Sequence, residues 1–140
     1  VYKRQGFYYD NNWKTEYDEW VYLLTGWTKS PDYPIVAMNN AQTSDMIFTQ
    51  PVVYEFSNIK TPTLLIIGTR DRTAIGKNKV KDSAVREKMG LYQFLGKETQ
   101  QKIKGSQLVE LDNVGHLPHI EVFDRFIKPF KAFLANQTGN

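Results

Sequence analysis

Asp71 and His116 are the residues of this sequence whose types and positions best suit catalytic chemistry. Asp71 lies shortly after an apolar segment that ends at Gly68, and His116 follows a second apolar segment and the turn at residues 112–115. A carboxylate can fix the tautomer of an imidazole and stabilise its protonated form, while the other ring nitrogen takes a proton from a hydroxyl group or from water. The pair predicts a relay that activates a nucleophile, provided that the fold brings the two side chains together.

Other residues could fill these two roles. Asp71 could be an ordinary turn aspartate, with Asp45 or Asp112 as the acid instead. His119 is the other histidine of the chain, but it follows Pro118 where the last helix is expected to begin, which suits a surface position better. Asp71 with His116 is therefore the preferred pair.

Cysteine and histidine content argues against several other kinds of chemistry. The chain has no cysteine, which excludes disulfides, thiolate metal sites and a cysteine nucleophile within it. His116 and His119 flank a proline without HExxH spacing, so a zinc site would need distant carboxylates. We expect neither a metal nor another cofactor.

Composition and charge predict an ordinary globular domain. Of the 140 residues, 41% are hydrophobic and 14% aromatic, and 18 Lys and Arg against 15 Asp and Glu give a net charge of +3. The densest basic stretch, residues 76–88, includes Asp82 and Glu87 and no aromatic residue, so we expect no nucleic-acid partner. No apolar run approaches the ~20 residues that span a bilayer. We expect a soluble unit, in a compartment that the sequence leaves open.

The elements that must position Asp71 and His116 are two short strands. Residues 63–67 form an unbroken apolar run before Gly68, as expected of a strand covered on both faces in a parallel sheet. Residues 107–111 predict a second strand, and the long helical connection between them favours a parallel crossover. Because ligands bind at the carboxyl ends of parallel strands, both candidate residues should emerge at one edge of the sheet.

The remaining segments are predicted to be mainly helical. A helix is expected over residues 14–24, a loop over residues 27–33, and a second helix over residues 41–49 before Pro51. Residues 83–104 predict two helical pieces separated near Gly96. A last amphipathic helix is expected over residues 119–135, with Pro129 kinking or restarting it.

Two stretches of this sequence resemble a known family. TPTLLIIG at residues 61–68, with Asp71, resembles the strand and acid loop of α/β-hydrolases, and GHLPHIE at residues 115–121, with Phe126, resembles their histidine loop and the start of their final helix. The order of acid before histidine also matches this family. The resemblance implies an α/β fold in which Asp71 is the catalytic acid and His116 the catalytic histidine.

The resemblance also implies a division of the chain. Residues 59–140 would form the C-terminal part of the α/β-hydrolase core, and residues 1–58 a helical cap or lid over the active site. Substrate contacts are expected from Trp20, Trp27, Phe48 and Leu117, although aromatic residues at helical spacing are more often simply core.

The nucleophile of this family is not found in the sequence. No G-x-S-x-G elbow, or relative with a central Asp, occurs, and Ser106 opens a strand instead of leaving one. Two parallel strands also cannot cover both faces of a sheet or satisfy its edges. We expect the chain to be a fragment that associates with the N-terminal half of the same hydrolase and that is catalytically silent alone.

The predicted function is hydrolysis of a small, largely apolar ester, epoxide or related substrate. A Ser nucleophile would give acyl transfer, and an Asp nucleophile would give an alkyl-enzyme ester that His116 would help water to hydrolyse. The alternative is a binding protein that keeps the hydrolase fold without turnover.

Overall fold

The N-terminal part of the fold is helical. The computed structural model describes residues 8–9 and 11–138. A 3-10 turn at Thr15–Tyr17 leads into helix α1 (Asp18–Lys29), and helix α2 (Tyr33–Thr49) follows after a short connection. Two further 3-10 turns, Val52–Tyr54 and Phe56–Asn58, lead to the sheet.

Both N-terminal helices have bounds that differ from the predicted ones. The first begins at Asp18 and not near residue 14, because residues 15–17 form a 3-10 turn, and the second begins at Tyr33 and not near residue 41. The predicted loop over residues 27–33 is confirmed only at residues 30–32, because α1 continues to Lys29 and α2 begins at Tyr33. Thr25 and Thr28 donate their hydroxyl hydrogen bonds to main-chain oxygens within the helix, and one exposed glycine at Gly26 costs only about 1 kcal/mol relative to alanine. Helix α2 begins at Tyr33 with Pro34 in its first turn, where a missing N–H loses no hydrogen bond within the helix.

The centre of the fold is a parallel pair of strands, as predicted. Strand β1 (Leu64–Gly68) pairs with strand β2 (Gln107–Leu111), in a register that places Leu64 beside Gln107 and Gly68 beside Leu111. The connection contains a 3-10 turn at Lys77–Lys79, helix α3 (Ser83–Lys88) and helix α4 (Tyr92–Lys102). The carboxyl ends of β1 and β2 therefore lie side by side.

Helices lie on both faces of this pair. Helix α4 packs on β1 and β2, and Gly96 permits close contact because a Cβ atom there would lie 3.0 Å from Ile67 Cγ1. On the other face, Leu64 and Ile66 line a groove of about 310 Å³ with side chains of the last helix. Alternate residues of β1 thus face opposite helical layers, which is the reason for its unbroken apolar sequence.

Two predicted helix interruptions lie elsewhere. Residues 83–104 break at residues 89–91 and not near Gly96, because Gly90 has a φ of +72° and a Cβ atom there would clash with Arg72 O. The last segment divides into helix α5 (Pro118–Glu121) and helix α6 (Phe123–Thr138), which continues through Pro129. Of the two effects expected of Pro129, a kink or a restart, the restart does not occur, and the division lies at Val122.

No helix within residues 8–9 and 11–138 is long and apolar enough to cross a membrane.

Candidate functional site

The site lies where the loops after β1 and β2 run beside each other. Past the strands, the N–H of Thr69 donates to Leu111 O at 3.1 Å, and the N–H of Arg70 donates to Val114 O at 3.0 Å. A Cβ atom at Gly68 would clash with the carbonyl oxygens of Val114 and Gly115. Glycine at the end of β1 therefore lets the histidine loop approach the acid loop closely.

Asp71 and His116 meet in this place. The Oδ2 atom of Asp71 lies 2.8 Å from Nδ1 of His116, and Oδ1 accepts the main-chain N–H of Thr73 at 2.8 Å. The Asp71 side chain is 7% exposed, whereas that of His116 is 33% exposed. The carboxylate thus holds one ring nitrogen of an imidazole that remains partly accessible.

Asp71 is arranged to carry a negative charge despite its burial. Burial raises the pKa of Asp71, but hydrogen bonds from His116 and from the main chain and side chain of Thr73, with the charge of His116, outweigh it. The net result is a pKa below the ordinary value of 3.8. An ionised acid beside Nδ1 favours the tautomer in which Nδ1 carries the proton and Nε2 can accept one.

Two tyrosines contact the ring of His116. Tyr8 stacks on it, with ring centroids 5.1 Å apart and planes 14° apart, and Tyr92 approaches at 6.4 Å and 62°. Burial, followed by the charge of Asp71, raises the pKa of Tyr92 above its usual value of 10.0, so its hydroxyl stays neutral at physiological pH. Sequence analysis missed both tyrosines, because no local spacing relates either of them to the histidine loop.

A carboxylate bridge joins the two loops beside the candidate pair. Glu121 Oε1 pairs with Nη2 of Arg70 at 2.6 Å, and its Oε2 accepts the N–H of Gly115 at 2.8 Å. Arg70 also donates to Asn113 O at 3.0 Å, and Asn113 has a φ of +55°. The side chains of Glu121 and Arg70 therefore connect the acid loop with the turn that precedes His116. Glu121 lies in the GHLPHIE stretch, so a sequence signal for it was present.

The alternative acids and the alternative histidine lie elsewhere. Asp112 is exposed and accepts a hydrogen bond from Thr69 Oγ1 at 3.3 Å. Asp45 is exposed in helix α2. His119 is also exposed, with its ring 5.9 Å from that of Phe126. Of the candidate acids and histidines, only Asp71 and His116 form a hydrogen-bonded pair among the described residues.

A cavity of about 430 Å³ lies against His116. Trp20, Trp27 and Leu117, which were expected to contact substrate, are in its lining together with His116. Phe48 is not among the described residues that line this cavity; it lies near the end of α2 with 67% of its surface exposed. Phe48 therefore lies outside the described wall of this cavity, and its expected substrate contact stays a prediction.

Further aromatic residues of the wall were not singled out from the sequence. They are Tyr8, Tyr9, Trp13 and Tyr17. Within residues 8–9 and 11–138, no group of three or more His, Cys, Asp or Glu side chains is placed to hold a metal ion.

The chain is similar to a solved crystal structure, that of a probable hydrolytic enzyme from Pseudomonas aeruginosa PAO1. The TM-score is 0.84 and the sequence identity 40%, over 95% of this chain and 42% of that protein. The chain therefore spans about two-fifths of the length of that protein, and the similarity includes both the helical N-terminal part and the sheet. No family model and no curated protein matches the chain.

Proposed function

We propose that this chain provides the acid and the histidine of an α/β-hydrolase-type enzyme. The observation that carries the proposal is the 2.8 Å contact between Asp71 Oδ2 and His116 Nδ1, at the carboxyl ends of two parallel strands. The likeness to a probable hydrolytic enzyme at 40% identity supports a hydrolytic reaction. In this proposal residues 59–140 belong to the hydrolase core and residues 1–58 to a helical cap.

The proposed role of His116 is that of general base. With Nδ1 held by Asp71, Nε2 takes the proton of a hydroxyl nucleophile or of water as its oxygen attacks the substrate. The same proton is then available to the leaving group when the bond to it breaks. Asp71 stabilises the intervening imidazolium without taking the proton itself.

The nucleophile in this proposal comes from a segment outside these 140 residues. Within the described residues the sheet has two strands, in the order β1-β2, and a sheet of this kind needs further strands to satisfy its edges. Those strands would supply the nucleophile and the donors for a developing oxyanion. A Ser nucleophile would give ester hydrolysis, and an Asp nucleophile would give epoxide opening followed by hydrolysis of the alkyl-enzyme ester.

The test compares the complete polypeptide with its His116→Ala variant, on a nitrophenyl ester and on styrene oxide. Removal of the general base should lower kcat/KM on the substrate that is turned over by at least about 10²-fold. His119→Ala is the matched control, because this exposed histidine lies outside the pair, and its kcat/KM should stay within about twofold of the wild-type value.

Equal activity of the wild-type and His116→Ala proteins would remove His116 from the mechanism. No turnover of any ester or epoxide by the complete wild-type polypeptide would favour a binding protein that keeps the hydrolase fold.

A further inference from the structure

The cavity beside His116 has an unusual chemical lining. All three tryptophans of the chain and three of its tyrosines are in the wall, with the remaining positions taken by aliphatic residues and by His116. No Asp, Glu, Lys or Arg side chain is among the described residues of the lining. A volume of about 430 Å³ is within the range of about 300–1,000 Å³ that small-molecule sites occupy.

Part of this wall is held in place by contacts among its own aromatic rings. Tyr9 stacks on Tyr17 with ring centroids 4.1 Å apart and planes 16° apart. Trp13 contacts both rings edge to face, at 5.4 Å from Tyr9 and 5.6 Å from Tyr17. Nε1 of Trp13 donates to Asp18 Oδ1 at 2.8 Å, so this polar group of the indole is already satisfied. Fixed rings of this kind favour a planar ligand group that packs by offset stacking or edge-to-face contact.

An aromatic wall could also attract a cation, but the surroundings disfavour one. The Nζ atom of Lys14 lies 5.9 Å from the ring centroid of Tyr17, so a protein cation already interacts with this cluster. No carboxylate lines the cavity among the described residues, and the chain carries a net charge of +3. A second positive charge would therefore have no direct contact with a carboxylate of the described lining.

We infer that this cavity binds a neutral aromatic group, and that the substrate is a neutral aryl compound whose reacting bond lies beside His116. The assignment of this ligand as substrate rests on the function proposed above, whereas the preference for a neutral aromatic ligand rests on the wall alone. A purely aliphatic ligand of the same size would fill the volume but lose the ring contacts.

Binding of matched probes tests the preference directly. The intrinsic fluorescence of the chain reports on the cavity, because Trp13, Trp20 and Trp27 are its three tryptophans and all are in the lining. Titration with phenylpropanol should change this fluorescence with a dissociation constant about fivefold lower than that of cyclohexylpropanol, since ring pairs add affinity beyond area burial. Tetramethylammonium should bind more weakly than either alcohol.

Two substitutions at Trp27 separate aromatic from general apolar character. Trp27→Leu should reduce the preference for phenylpropanol over cyclohexylpropanol by at least about threefold, while Trp27→Phe should keep most of it. Phe48→Leu is the matched control, because Phe48 is exposed on α2 outside the lining, and it should leave both dissociation constants unchanged. Trp27 is itself 58% exposed, so these changes do not remove a core side chain.

Equal or tighter binding of cyclohexylpropanol, tighter binding of tetramethylammonium, or no binding of phenylpropanol would overturn the inference. Failure of the proposed function gives a different result. In that case phenylpropanol binds with the stated preference, yet the complete polypeptide and its His116→Ala variant do not differ in hydrolysis.

Discussion

At the scale of single residues, the Asp71 carboxylate is ionised in a buried position because three groups favour its charge. The imidazole of His116 and the main chain and side chain of Thr73 together outweigh the penalty of burial, and the pKa of Asp71 falls below its ordinary value of 3.8. A depressed pKa in the folded state links ionisation to folding. This stabilisation is fully present at pH values above the pKa of Asp71 in the unfolded chain. It is lost as the pH falls through the lower pKa of Asp71 in the folded protein.

The first prediction at this scale concerns Asp71→Asn. Asparagine keeps the shape but removes the charge, so the wild-type protein should lose more stability between pH 7 and pH 3 than the variant does. The free energy of unfolding, measured with a denaturant at both pH values, is the readout. Asp45→Asn, at an exposed position, is the control and should follow the wild-type curve. An identical pH dependence for Asp71→Asn and wild type would contradict the linkage.

The same substitution should also reduce turnover by the complete polypeptide. An amide can donate to Nδ1 and so favour the wrong tautomer of His116, which predicts a loss in kcat of about 10³–10⁴-fold. Binding of phenylpropanol should be unaffected, because Asp71 is not in the lining of the cavity. A kcat within a few fold of wild type would mean that Asp71 does not orient His116 during the reaction.

At the scale of elements, the geometry of the pair depends on how the two loops are held together. Ladder-like hydrogen bonds extend beyond both strands, and glycine at position 68 permits the close approach. The Glu121 carboxylate, supplied by α5, connects the acid loop through Arg70 and the histidine loop through Gly115. The short helix α5 thus has a structural role that its length would not suggest.

Glu121→Gln tests this bridge. The variant loses the charge-assisted contacts of a side chain that is only 12% exposed, and unfolding free energy should fall by about 1–3 kcal/mol. Glu110→Gln is the matched control, because the Lys97–Glu110 pair, at 3.5 Å with side chains 58% and 31% exposed, should contribute no more than about 1 kcal/mol. Denaturant unfolding of both variants gives the comparison, and equal losses would show that the bridge is no stronger than a surface ion pair.

At the scale of the whole molecule, the described sheet has apolar strands but few neighbours. Leu64 to Ile67 remain only partly buried although they lie between helical layers, and exposed large hydrophobic side chains occur on α1, α2 and α6. Large exposed apolar surfaces are often covered by a partner or by further chain. The proposal of an N-terminal half that completes the sheet accounts for this exposure.

Completion of the sheet predicts that the main-chain amides of β1 exchange hydrogen more slowly in the complete polypeptide than in the 140-residue chain. Hydrogen exchange with mass spectrometry measures the difference. The 140-residue chain alone should also show no hydrolysis. A folded, monomeric species of 16.3 kDa with the same β1 protection and with hydrolytic activity would contradict the proposal.

Local sequence determined the strands, their carboxyl-end loops and the two residues of the candidate pair. Short unbroken apolar runs and a long helical connection restrict the possible pairing, so the parallel arrangement of β1 and β2 followed from patterns within each segment. Helix ends were less predictable, because Gly26, Gly96 and Pro129 are helix-breaking types that lie within helices here. Their intrinsic costs, about 1 kcal/mol for a glycine and about 3 kcal/mol for a proline relative to alanine, did not end these helices.

Only the tertiary structure decided which distant residues surround His116. Tyr8, Tyr92 and the aromatic wall come from segments with no fixed spacing to the histidine loop, and their contacts depend on how the helices pack. Phe48 lies outside the described wall of the cavity. Catalytic residues in the loop after a strand can be predicted from sequence, because the direction of the strand decides at which edge of the sheet that loop lies. The shape of a cavity cannot be predicted in this way, because it depends on many long-range contacts.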